Sequence, residues 1–181
     1  MINIEKLRDI TSLIKKSLND TDTFEAVFDI LDNAIEFDSA TLFITNSESE
    51  KLEIVCQRGE KCVDLARGFK FSKGKGLSGW IADKSDPIIL SSFSNENPNR
   101  AFQSFVSIPL MVEENIVGVL NIGHNEPEKY NKEQLDLFIL IGTQLAAIIN
   151  KMQLRRELGD RNEELQTAMI QLKETQGQLI A

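Results

Sequence analysis

Cysteine and histidine are scarce in this sequence of 181 residues, which has two cysteines (Cys56 and Cys62) and one histidine (His124). Two cysteines are too few for a disulfide framework, and one histidine excludes a histidine-rich metal site, so we predict no bound metal. No apolar segment near residue 1 has the length of a signal peptide. The longest apolar run, LFILIGTQLAAII, is shorter than a membrane span. These scarcities together predict a soluble protein of the cytoplasm.

Positive charge is also scarce, with 20 Lys and Arg against 28 Asp and Glu and a net charge of −8. Residues 151–181 contain equal numbers of acidic and basic side chains, so the whole acidic excess lies in residues 1–150. An acidic body without a basic stripe argues against nucleic acid or an anionic membrane as a partner.

The spacing of apolar residues predicts an α+β fold with an antiparallel sheet. Helical spacing covers residues 3–18 and 24–35, with Asp22 or Thr23 as the N-cap of the second helix. Glu113 and Glu114 alone separate the strands FVSIPLMV and NIVGVLNIG, which predicts a tight hairpin. Apolar residues on both faces of NIVGVLNIG predict a central strand. Further strands are predicted at SATLFIT, KLEIVCQ, GFKF and the apolar segment after Pro87.

Three glycines, Gly74, Gly76 and Gly79, have the G-x-G-x-x-G spacing of a dinucleotide-binding turn. The preceding GFKF alternates like a half-exposed strand, and the following helix is only about two turns long before Pro87 ends it. A dinucleotide site needs a buried parallel strand and a long helix there instead. We therefore interpret the glycines as a structural turn, in which Gly79 allows close packing beside Trp80.

In chain order, GKGLSGWIADKSDPIIL, FVSIPLMVEENIVGVLNIG and the helix that follows them resemble a GAF domain over roughly residues 20–150. The resemblance implies a central antiparallel sheet with terminal helices on one face. It also implies that short helices and loops cover the other face and form a small-molecule pocket. The sequence identifies neither the ligand nor a cofactor.

The predicted pocket combines apolar walls with a few polar side chains, as small-molecule sites do. The alternative is that its aromatic residues are ordinary core and that the pocket is filled. The candidate pocket residues are Phe69, Leu77, Trp80, Ile81, Ser92, Phe93, Asn95, Arg100, Phe102 and Phe105.

A helix is predicted from Asn131 onward, with two heptad patterns that differ in phase by one residue near Gly159. In the second pattern, four leucines recur every seven residues with no core to cover them, which predicts a parallel homodimer with Asn162 and Gln176 as buried polar residues. The predicted interface comprises Leu145, Ile149, Met152, Leu158, Asn162, Leu165, Met169, Leu172 and Leu179.

The segment NEELQTAMIQLKETQGQLI is similar to the signalling helix of sensor histidine kinases. We therefore divide the chain into an N-terminal helix (1–20), a GAF domain (21–150) and a coiled-coil signalling helix (151–181). The two resemblances imply a sensory domain, itself without catalytic residues, that regulates the downstream output domain of a histidine kinase. The alternatives are a dimerisation module without ligand, the input domain of a diguanylate cyclase, and a GAF-type methionine sulfoxide reductase.

The rare reactive residues have competing interpretations. His124 is either a haem ligand, as in some GAF sensors, or a polar residue at the end of a strand, which we favour. Cys56 and Cys62 are either the redox pair of a reductase or, for Cys56, a buried and inert thiol on a strand.

Overall fold

The computed structural model describes residues 20–45, 52–60, 87–91 and 102–179. The predicted helix over 3–18, the GFKF strand and the glycine turn lie outside these residues. In chain order, the described elements are helix α1 (Asp20–Ala34), strands β1 (Ser39–Thr45), β2 (Leu52–Arg58), β3 (Ile88–Leu90), β4 (Ser104–Val112) and β5 (Asn115–His124), a 3-10 turn (Lys132–Gln134) and helix α2 (Leu135–Leu179).

The strands form one antiparallel sheet in the order β2-β1-β5-β4-β3. β5 lies in the middle, and its residues from Val117 to His124 are all buried, because both faces of the strand are covered. This confirms the predicted α+β fold and the central position of NIVGVLNIG. Val112 pairs with Asn115, so Glu113 and Glu114 form the predicted two-residue turn.

Helix α1 packs its apolar face into the core, as its spacing predicts. Its first residue is Asp20, so the prediction of Asp22 or Thr23 as N-cap is wrong, because both residues lie inside the helix. The buried residues along this face and just beyond it are Phe24, Val27, Phe28, Leu31 and Ile35.

Arg58 of β2 fastens the exposed side of α1 to the sheet. Its guanidinium lies 3.0 Å from Glu25 and 2.9 Å from Asp29, and it also pairs with Asp32. The same guanidinium lies 5.6 Å from the centroid of the Phe28 ring. Burial by itself would lower the pKa of Arg58, but the hydrogen bonds to Asp32, Asp29 and Glu25 outweigh it and raise the pKa above its usual value.

Helix α2 lies close against β4 at Gly142. A Cβ built at Gly142 would lie 2.8 Å from Cγ2 of Ile108 and 3.0 Å from the carbonyl oxygen of Pro109, so the absent side chain permits the close approach. Leu145 and Ile149 are each 1% exposed in the protomer. Their assignment to the dimer interface is therefore wrong, because the core already covers this face of the helix.

One helical segment of the described residues, Lys132–Gly177, contains an 18-residue window with a mean hydropathy of 1.4, long and apolar enough to cross a membrane by composition alone. Core helices of soluble proteins pass the same test. Phe138, Leu145 and Ile149, which contribute to its apolar character, belong to the core described above.

The chain divides into two compact units, Met1–Ile149 and Asn150–Ala181. In the second unit, every side chain from Leu154 to Gly177 is exposed. Leu158, Leu165 and Leu172, which we call the heptad stripe, are 65%, 62% and 63% exposed. The side chain of Leu179 lies outside the described residues.

Candidate ligand-binding site

The two faces of the sheet have different neighbours. Ile108 and Leu110 of β4 face α2, and Arg58 of β2 faces α1. Because side chains alternate along a strand, every second residue, such as Ser107 and Pro109 on β4, points to the opposite side of the sheet. We call this second side, which faces away from both helices, the distal face.

Three polar side chains lie side by side on the distal face of the three central strands. Asn121 of β5 is paired with Thr41 of β1 on one side and with Ser107 of β4 on the other. All three are fully buried, and Oγ of Ser107 donates a 2.7 Å hydrogen bond to Oδ1 of Asn121. We call Thr41, Asn121 and Ser107 the polar row.

Every buried side-chain nitrogen and oxygen atom in the described part of the chain has a hydrogen-bond partner, those of the polar row included. A buried hydroxyl or amide costs free energy unless it is hydrogen-bonded, and a satisfied network holds its side chains in fixed positions. The polar row is therefore a set of oriented donors and acceptors rather than a defect in the core.

Apolar residues flank the polar row at both ends. At one end, Phe43 pairs with Val119, and the partly buried Leu52, Ile88 and Ile116 pack against them.

At the other end, Phe105 is fully buried and pairs with Gly123. The ring of Phe102 occupies the space above Gly123, since a Cβ there would lie 2.6 Å from Cγ of Phe102. The distal face thus presents polar atoms between two aromatic ends, the composition usual for a small-molecule site.

Phe102 and Phe105 are the two predicted pocket residues that the structure describes, and it brings both to the distal face near Gly123. For all ten residues, these two included, pocket membership stays a prediction. The residues outside the described ranges are Phe69, Leu77, Trp80, Ile81, Ser92, Phe93, Asn95 and Arg100.

Sequence reasoning missed the polar row. The available signal was that SATLFIT, FVSIPLMV and NIVGVLNIG each have an interior polar residue with an apolar residue directly before and after it. Whether these three residues lie opposite one another depends on the register of the strands, and the spacing of apolar residues does not determine that register.

Cys56 lies on β2 and is partly buried, with Sγ 3.8 Å from a carboxylate oxygen of Glu25. Burial raises the pKa of the Cys56 thiol, and the neighbouring Glu25 raises it further. Since the thiolate is the reactive form, this environment disfavours nucleophilic chemistry at Cys56. Cys62 lies outside the described residues. No group of His, Cys, Asp and Glu among the described residues is arranged to hold a metal ion.

His124 ends β5, as its interpretation as a strand-end residue predicts. Its Nδ1 lies 3.0 Å from the backbone nitrogen of Glu126 and 3.6 Å from Oδ2 of Asp38. Tyr130 packs edge-on against the imidazole, with the ring centroids 6.4 Å apart, and donates a hydrogen bond to the carbonyl oxygen of Glu36. Burial raises the pKa of Tyr130, and the nearby carboxylates of Asp38 and Glu36 add to the effect.

Comparison with solved structures finds several domains of the same fold. The GAF domain of a phosphoenolpyruvate-protein phosphotransferase from Coxiella burnetii has a TM-score of 0.65 and 20% identity, covering 85% of this chain and 96% of that one. The GAF domain of a two-component sensor histidine kinase from Bacillus halodurans has a TM-score of 0.58 and 19% identity, covering 77% and 99%. The free methionine-R-sulfoxide reductase of Neisseria meningitidis, solved with its substrate, has a TM-score of 0.63 and 14% identity, covering 84% and 90%.

At these identities, the structural likeness establishes the fold and nothing more. No curated protein sequence matches the chain. The family model described as GAF domain matches residues 18–150, which is most of the sequence. The chain therefore belongs to the GAF domain family, as the order of its glycine, Ile-Pro-Leu and Gly-Val-Leu segments predicts.

Proposed function

We propose that this chain is the sensory domain of a cytoplasmic signalling protein, that it binds a small molecule over the distal face, and that it regulates a histidine kinase output domain through a homodimeric helix. The observation that carries the binding part is the polar row, buried between the two aromatic ends. A core has no need of three adjacent polar side chains at the centre of a sheet, where apolar residues would pack without any requirement for hydrogen bonds. Their presence at the centre of the sheet favours a role in recognition over a role in stability.

The chemistry of the distal face indicates the kind of ligand. Thr41, Asn121 and Ser107 offer hydroxyl and amide groups, and the described strand residues on this face include no charged side chain. An ionised ligand group placed against these strands would lose its hydration without a counter-charge from the described strand residues, at a cost on the order of several kcal/mol. We therefore propose a ligand that is uncharged and polar where it meets the sheet.

Transmission to the helix is supported by β4, which contributes to both faces. Ser107 belongs to the polar row, and its neighbours Ile108 and Pro109 contact α2 at Gly142. A ligand that prefers one position of β4 would therefore also favour one position of the helix. It can bias the output only by its difference in affinity for the two states.

The homodimer is supported by the heptad stripe, whose leucines are about two-thirds exposed. Leucines at every seventh residue of a helix pair with an equivalent helix in a coiled coil. The kinase assignment is supported by the similarity of NEELQTAMIQLKETQGQLI to signalling helices. A reductase is the competing proposal, and the raised pKa of Cys56 argues against it.

A screen of uncharged polar metabolites by thermal shift tests the ligand proposal, since a ligand that binds only the folded state raises its stability. We expect at least one compound to stabilise the wild type but not the Asn121→Leu variant. Leucine is similar in size to asparagine but forms no side-chain hydrogen bonds. Asn115→Leu is the matched control, because Asn115 is exposed at the hairpin and should leave the response intact. An equal response of Asn121→Leu and wild type would contradict the assignment of the polar row.

Sedimentation over a range of concentrations tests the dimer. We expect Leu165→Glu/Leu172→Glu to be monomeric, because the two changes place charges inside the coiled coil. Thr167→Glu/Gln171→Glu introduces the same charge on other sides of the helix and should stay dimeric. Equal self-association of the two double variants would show that the heptad stripe is not the interface.

A further inference from the structure

His124 lies where three segments of the first unit meet. It ends β5, and Asp38, in the link between α1 and β1, donates a backbone hydrogen bond to its neighbour Gly123. The turn over 125–130 follows it and leads to α2. The side chain of His124 is 8% exposed. A change in the hydrogen bonds of this ring would therefore affect the packing of all three segments.

Hydrogen-bond geometry assigns the form of the imidazole. Nδ1 of His124 lies 3.0 Å from the backbone nitrogen of Glu126, which donates to it. A ring nitrogen that accepts a hydrogen bond has no proton, so this is the neutral imidazole with its proton on Nε2. The bond holds the beginning of the turn against the end of β5.

The carboxylate of Asp38 lies where it could pair with the protonated form of the imidazole. Oδ2 of Asp38 lies 3.6 Å from Nδ1, too far for a hydrogen bond, and accepts a 2.6 Å bond from the backbone nitrogen of Asn125. A proton on Nδ1 would turn this nitrogen into a donor, and the Glu126 N–H could no longer bond to it. Asp38 is the carboxylate within 4 Å that a protonated Nδ1 would face.

The other charged groups near the ring leave Asp38 available. Nζ of Lys129 lies 2.7 Å from Glu36 and 3.9 Å from Glu126, so these two carboxylates share a cation. Tyr130 contributes a neutral phenol that donates to the carbonyl oxygen of Glu36.

Two further elements in the described part of the chain bring no charge to the ring. β4 contributes Ser104, which pairs with His124, and the backbone of Gln103, which donates to the His124 carbonyl oxygen. α2 reaches the cluster through Phe138, which packs edge-on against Tyr130.

We propose that His124 is a proton-operated switch of the turn over 125–130. The neutral ring holds the Glu126 N–H, whereas the cation releases it and pairs with Asp38. The same turn ends at Asn131, whose side chain accepts from the backbone of Glu133 and thereby caps the 3-10 turn that begins the helix. A fall in pH is then an input to the helix that is separate from any ligand on the distal face.

The single histidine of the chain makes the test unambiguous, because ring nitrogen signals in NMR come from His124 alone. Above its titration midpoint, we expect a proton on Nε2 and none on Nδ1. On acidification between about pH 8 and 5, the range in which histidine usually titrates, the exchange protection of the Glu126 amide should fall several-fold with the same midpoint. The Ile35 amide, which donates to the Leu31 carbonyl oxygen at the end of α1, is the internal control and should keep its protection.

One variant isolates the role of the ring. His124→Asn keeps an acceptor near the position of Nδ1 and does not titrate, so the Glu126 amide should stay protected throughout. A proton on Nδ1 at high pH, no titration of His124 in this range, or a Glu126 amide indifferent to it would each overturn the proposal.

Discussion

Ser107 donates a 2.7 Å hydrogen bond to Asn121 across β4 and β5, and both side chains are fully buried. The bond joins two neighbouring strands on the face that lies away from the helices. Water cannot reach either group. Removing one partner therefore leaves the other buried without a hydrogen bond, which costs more free energy than the intact bond contributes.

Removing both partners of this pair should therefore cost less than the sum of the losses from removing each alone. Ser107→Ala leaves Oδ1 of Asn121 without this donor and should lower the free energy of unfolding by about 1–3 kcal/mol. Adding Asn121→Leu to Ser107→Ala should cost less than the sum of the two single changes. Urea unfolding of the four proteins in this cycle measures the coupling, and strict additivity would contradict it.

The contact between Gly123 and Phe102 gives a second prediction. Gly123→Ala places a methyl group 2.6 Å from Cγ of Phe102, so we expect a loss of about 1–3 kcal/mol in the free energy of unfolding. In a Phe102→Ala background the same change should cost much less. Gly159→Ala is the control, because a Cβ there meets nothing within 4 Å, and it should not destabilise the protein. An equal loss with and without the Phe102 ring would refute the contact.

Arg58→Met tests the fastening of α1. The variant keeps an apolar side chain over Phe28 but leaves the three carboxylates of α1 without their shared cation. Because these groups are partly solvent-exposed, we expect a loss of only about 1 kcal/mol at low salt. The loss should shrink in high salt, which screens the repulsion among the carboxylates. Urea unfolding at two salt concentrations measures both effects.

Arg161→Met is the matched control for this experiment. Arg161 pairs with Glu157 one helical turn away, and both side chains are mostly exposed. Pairs of this kind contribute about 0.2–0.5 kcal/mol. A similar loss at both arginines would mean that Arg58 is an ordinary surface charge.

Tyr130 should make the protein sensitive to alkali. Its folded-state pKa is raised, chiefly by burial, above the ordinary value of about 10. The stability that comes from the neutral phenol is thus complete below about pH 10 and is lost as the pH rises above it. Tyr130→Phe should reduce the decline of the unfolding free energy in this range and cost about 1 kcal/mol at neutral pH, where the bond to Glu36 is lost.

The chain has one tyrosine, so phenolate absorbance reports on Tyr130 alone. We expect the folded protein to form phenolate at a higher pH than the same protein in denaturant. Coincident curves would show that the phenol is not protected.

Much of the fold follows from periodicity. The observed β1 is the predicted SATLFIT, and β4 and β5 each differ from their predicted ranges by one residue at an end. The heptad spacing correctly predicts that α2 is a helix. It also predicts that Leu145 and Ile149 lie in a dimer interface, whereas both are buried in the core of the protomer. Spacing reports which residues share a helix face, and it does not say whether a sheet or a second helix covers that face.

The polar row shows what periodicity cannot supply. The hairpin pairs Val112 with Asn115, and continuing this register would place Ser107 opposite Leu120. An irregularity between Leu110 and Met111 shifts the pairing by one residue, and Ser107 meets Asn121 instead. A one-residue shift exchanges the faces of a strand, so a small local feature decides which side chains assemble into a site.

The glycine at position 142 sets a mechanical limit on any signal. Since a Cβ at Gly142 would already lie 3.0 Å from the Pro109 carbonyl oxygen, α2 packs close to the sheet there and has little room to move toward it. Lifting the helix would open a void, which close-packed interiors resist. The displacement left to it is sliding or rolling along β4, so a response to ligand should register as a change in axial position or rotation rather than in spacing.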